Sequence, residues 1–79
     1  MRRLLVPLAM MLGSGLAQAD DQSECVAGIA MLQAEVPKAT GAVRTKVERE
    51  LRVAQREQGE GEFDECMDAI RAARAALGK

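Results

Sequence analysis

The chain has no histidine, no tryptophan and no tyrosine, and its 79 residues include a single phenylalanine, Phe63. Without histidine it lacks the commonest general acid–base group and the commonest metal ligand. Without tryptophan and tyrosine it lacks the usual anchors of tight interfaces and the rings on which unstacked bases rest. No stretch alternates β-branched and polar residues at a period of two, so no strand is expected. There is no nucleophile–base pair and no phosphate-binding loop, and so short a chain is expected to build no deep pocket. These absences predict a non-enzymatic protein without a cofactor.

What is present begins with an export leader. Arg2 and Arg3 form a short positive start, residues 4–12 are apolar apart from Pro7, and Ala17-Gln18-Ala19 is an A-x-A cleavage site. Those are the three parts of a secretory signal, in order. The apolar run is shorter than the roughly 20 residues a permanent span needs. The expected layout is a cleavable signal over 1–19, cut after Ala19, and one mature domain over 20–79 with no stable membrane span. Removing Arg2 and Arg3 from the 11 bases leaves 9 against 12 acids, a net charge of −3 for residues 20–79. A nucleic-acid binder would show a basic excess, so no such partner is expected.

The mature segment reads as helix throughout. Cys25, Ile29, Leu32 and Val36 recur at steps of four, three and four, as do Phe63, Cys66, Ile70, Ala73 and Leu77 with the first step three. Between them Val43, Val47, Leu51 and Ala54 keep helical spacing. Asp21 and Glu24 resemble a capping box, and Glu48 and Arg52 form an i,i+4 pair in the favourable order. Pro37 is expected to end the first helix by forcing Val36 out of the α region. Gly59 and Gly61 break the second, and Gly78 ends the third. The helices are expected near 21–36, 40–58 and 62–77.

The cysteines select the topology. A continuous helix from 21 to 58 would put Cys25 roughly 45 Å from the turn at 59–61, beyond reach of Cys66, because bridged Cα atoms lie within about 7 Å. An up-down-up three-helix bundle puts both cysteines in first turns at one end, on inward seams. An all-α bundle stapled by Cys25–Cys66 is therefore the expected fold. A disulfide-linked or swapped dimer would readmit the long hairpin, and the oligomeric state stays open. Positions 25 and 66 are too far apart for a C-x-x-C redox motif, and two cysteines without histidine do not make a zinc site.

Three further features bear on function. Met31 and Met67 offer soft sulfur suited to Cu(I), though methionine is also a common core filler. Glu57, Glu60, Glu62, Asp64, Glu65 and Asp68 make an acidic stretch without EF-hand spacing. Arg49, Arg52 and Arg56 line one side of the second helix and form a candidate partner-binding face. Val26, Val53 and Met67 lie off the seams and are expected to leave apolar surface for association.

The segment Gly61-Glu62-Phe63-Asp64-Glu65-Cys66-Met67-Asp68-Ala69 resembles the start of the second helix of a tetratricopeptide repeat. The resemblance covers about residues 47–77 and implies only that the second and third helices form an antiparallel hairpin. The functional expectation is a small protein of an exported compartment, the bacterial periplasm in the first instance, acting through protein contacts as adaptor, inhibitor or small subunit. The alternative is a metal-handling protein using Met31, Met67 and acidic residues.

Overall fold

The computed structural model describes residues 20–79; the expected leader and its cleavage residues Ala17 and Ala19 lie outside them. Three helices account for nearly all of the described chain: α1 over 20–35, α2 over Gly41–Gly59 and α3 over Phe63–Leu77. No strand occurs among the described residues. The expected bounds hold to within a residue or so. None of the described helices is long and apolar enough to cross a membrane.

α1 and α3 run side by side in the same direction. Cys25 is bridged to Cys66 with Cα atoms 5.8 Å apart. Gly28 meets the Ile70 side chain, and Glu35 pairs with Lys79 at 3.5 Å. The sequence offset across these pairs runs 41, 42 and 44, which only parallel helices in register can give. Short turns at both ends of α2 then make it antiparallel to each neighbour. The up-down-up bundle and its staple are as expected.

The core follows the seams. Cys25, Ile29 and Leu32 from α1, Val47 and Ala54 from α2, and Cys66, Ala69, Ile70 and Ala73 from α3 form one buried cluster. Phe63, Leu51, Val36 and Leu77 pack against it, half-buried. Val43 is an exception. It sits in the first turn of α2 and is 41% exposed.

The joints differ in detail from the sequence reading. Asp20 is already helical, so Asp21 lies inside α1 and does not cap it. Val36 is not driven into an extended conformation. It opens a 3-10 turn, Val36–Lys38, that tolerates Pro37 near its start because the first turn of a helix needs no N–H there. The chain becomes extended only at Ala39 and Thr40. Gly59 remains helical, and the stop is made at Gly61, whose φ of +78° lets the Gly61 N–H reach the Gln58 carbonyl and the Glu62 N–H reach that of Glu57. Gly78 ends α3 in the same way, at φ +81°, with Lys79 N–H donating to Arg74. Both are left-handed caps that side chains other than glycine adopt at a cost.

Candidate functional site: a groove between α1 and α3

The flank of α1 and α3 turned away from α2 carries a groove of about 550 Å³. Its floor is apolar: Ala27, Gly28 and Met31 from α1, Met67 and Ile70 from α3. Glu24 stands at one end, and Arg71, Arg74 and Lys79 stand along the α3 side toward the other. The groove exists because of Gly28. With no side chain there, Ile70 lies directly against the α1 backbone; a Cβ on residue 28 would come within 2.9 Å of Ile70 Cγ2. The volume is larger than so short a chain was expected to enclose, but the space is an open furrow and not a closed pocket.

α1 supplies an unusual wall. Residues 25–34 contain no charge, and Gln33 is their one polar side chain. A helix that is apolar on all sides is normally covered on all sides. Here only Cys25, Ile29 and Leu32 are buried, while Val26 is 47% exposed and Ala27, Ala30 and Ala34 lie at the surface. Val53 and Met67, expected to be surplus apolar surface, instead pack half-buried against the core, as does Met31. Of the three residues expected to leave apolar surface, Val26 alone is exposed.

Met31 and Met67 share this groove. Cys25 is level with Cys66, so Met31 lies about five residues, or roughly 8 Å, further along the axis than Met67. Among the described residues no group of three or more cysteine and acidic side chains is gathered so as to hold a metal ion.

Arg49, Arg52 and Arg56 are exposed on the side of α2 opposite its buried Val47 and Ala54, and so away from the groove. Arg56 pairs with Glu57 at 3.2 Å. Glu48 does not take Arg52: it pairs with Arg44 at 3.4 Å, while Lys46 takes Glu50 at 2.8 Å. Exposed pairs of this kind contribute only a few tenths of a kcal/mol, so which neighbour a glutamate selects is weakly determined.

The acidic stretch gathers at the α2–α3 joint. Glu50, Glu57, Glu65 and Asp68 line a smaller hollow of about 290 Å³ beside Val53 and Ala69. Glu57 raises the Glu65 carboxyl above its ordinary value, helped by desolvation and by Glu62. Arg71 pairs with Asp68. The hollow is thus a crowded set of acids already supplied in part with internal cations.

No family model, no curated protein and no solved structure matches this chain. The tetratricopeptide-like segment is a local likeness: α2 and α3 do form the antiparallel hairpin it implied.

Proposed function

We propose that this is a small exported, disulfide-stapled helical protein that acts by protein–protein contact through its α1/α3 face. The observation that carries the reading is the uncharged run 25–34, written for coverage on several sides yet covered on one. The furrow beside it supplies a receptive apolar floor with charges only at its margins. A disulfide between core positions suits an oxidising compartment. Together with the leader of residues 1–19 it supports export, with the bacterial periplasm as the expected location. Adaptor, inhibitor and small subunit all use such a surface.

The test has two parts. Protein recovered from its native host should begin at Asp20 and take up a thiol alkylator only after reduction. A photo-crosslinker placed at Ala27 should then capture a protein in that compartment, and one placed at Arg52 should not. Capture at Arg52 alone would move the working surface to the Arg49–Arg52–Arg56 face of α2. A retained leader or free thiols would remove the export reading. Metal handling remains the second reading, supported by Met31 and Met67 lining one furrow; saturable Cu(I) binding lost in Met31→Leu would favour it.

A further inference from the structure

We propose that the partner of the α1/α3 face is a second copy of this chain, docked face to face and reversed end for end. The inference rests on the contact-surface reading above and adds the occupant.

Charge is distributed unevenly along that face. Glu24 lines the furrow in the first turns of α1 that the structure describes, and Asp20 lies one turn before it on the same helix face. The furrow side of α3 carries Arg71 beside Ile70 and ends with Arg74 and, just past the helix, Lys79. Because α1 and α3 are parallel, the acids mark one end of the face and the bases the other. Between Glu24 and Arg74 lie Ala27, Gly28, Met31 and Ile70, and the one charge among them on the furrow side, Arg71, is paired with Asp68.

A symmetric dimer needs a surface complementary to itself. Two copies in the same sense would set acid on acid and base on base. Reversal about the centre of the floor sets Glu24 of each copy toward Arg74 of the other, and Asp20 toward the Lys79 end. The geometry supports this arrangement. Given the Cys25–Cys66 register, Glu24 and Arg74 stand about 13 Å apart along the axis, and the midpoint falls at Gly28 and Ile70, the centre of the apolar floor. The two-fold axis therefore meets the apolar floor beside Arg71, whose charge Asp68 already takes, with a Glu24–Arg74 pair on either side. A foreign segment of one sign would meet repulsion at one end. Among the described residues Glu24 and Arg74 have no ion-pair partner, whereas Arg71 and Lys79 are engaged by Asp68 and Glu35. Arg74 is thus the rim base to test.

A face two helices wide and about 24 Å long covers near 500 Å² in plan. That is below the roughly 800 Å² per partner of a standard interface, so the dimer belongs to the weak, salt-sensitive class.

The experiment is sedimentation velocity on the full chain as exported by its host, over a concentration series and at two salt levels. The expected result is a reversible monomer–dimer equilibrium that weakens with salt. Glu24→Arg alone and Arg74→Glu alone should each weaken it by about tenfold or more, and the two together in one chain should restore it. Both side chains are peripheral to the core, and an unchanged helical circular-dichroism signal will confirm that each variant is folded. A monomer at every concentration up to ~1 mM, or a dimer that neither swap moves, overturns the proposal. If the chain is monomeric but the Ala27 crosslinker captures another protein, self-association falls and the contact-surface reading stands. If Ala27 captures nothing, both fall.

Discussion

α1 and α2 each bury one stripe, but their remaining faces follow opposite rules. α2 carries eight charged residues in nineteen, and its exposed side is occupied by arginines and glutamates, several of them paired. α1 carries none from 25 to 34, and what it does not bury it leaves apolar and small. α2 is finished as a surface helix of a monomer. α1 buries one side and leaves apolar residues exposed on the others. In one small bundle the difference separates residues selected by folding from residues whose burial the monomer does not use.

The comparison is tested most severely by removing the staple that ties α1 to the α2–α3 hairpin. The Cys25–Cys66 bridge closes a loop of 41 residues, worth about 4 kcal/mol in the chain-entropy model. A domain of this size has only about 3–9 kcal/mol in total. Cys25→Ala with Cys66→Ala should therefore lower the melting temperature by roughly 30 °C or abolish the transition. Hydrogen exchange should show α1 losing protection before the hairpin. A double variant that melts like the parent would mean that packing alone holds α1.

Next is a contrast within α1. Leu32 is wholly buried, and Leu32→Ala should cost about 2–5 kcal/mol. Ala30 is exposed two residues earlier, and Ala30→Lys should stay within about 0.5 kcal/mol in thermal unfolding of the monomer. Comparable losses from both would show that the outer face of α1 is already covered.

Two glycines give a smaller contrast between the same helices. A Cβ at position 28 runs into Ile70, while one at 59 meets nothing within 4 Å. Gly28→Ala should lose about 1–3 kcal/mol to overpacking, less up to about 1 kcal/mol of helix propensity. Gly59→Ala keeps only the gain, up to about 1 kcal/mol. Opposite signs in urea unfolding are the expected outcome; the same sign at both would remove Gly28 as the cause of the close approach.

The residues that gave the fold from sequence are the ones that repeat. The seams of α1 and α3 were legible because each position has one burial state fixed by a 3.6-residue period, and the cysteines then had one topology that joined them. Local choices were less legible. Glu48 has two neighbours at four residues' distance and takes Arg44 over Arg52, a difference too small for spacing to decide. Gly59 and Gly61 look alike in sequence, and only the second adopts the left-handed cap. The furrow was the least legible. Met31 and Met67 read in sequence as candidate sulfur ligands, but their shared surface depends on the rotation of α1 about its axis and on Gly28 admitting Ile70. The lack of charge over 25–34 was the available signal, and it gains meaning only once one side of the helix is seen to be bare.

The smallest expected effect lies where α2 and α3 meet, at the crowded end of the charged half. Glu57 raises the Glu65 carboxyl above 4.5, its value without such neighbours, with desolvation, Glu62 and Asp64 adding to the shift. A carboxyl that is harder to ionise in the folded state binds its proton more tightly there than in the unfolded chain. Stability from this group is therefore complete below about pH 4.5 and is lost as pH rises through the raised native value. At neutral pH the two glutamates repel. Glu65→Gln keeps a hydrogen-bonding side chain toward Glu57 and removes that repulsion, so its melting temperature should exceed the parent's at pH 7 in low salt. The gap should close below pH 4.5, where the parent's Glu65 is protonated, and shrink in 1 M salt, where the screening length is about 3 Å. Because Glu65 is exposed, the shift should be small but resolvable by calorimetry across a pH series. A gap of the same size at pH 4 and pH 7 would assign it to helix propensity or packing, and would leave the charged half of the bundle without the local strain that its crowding predicts.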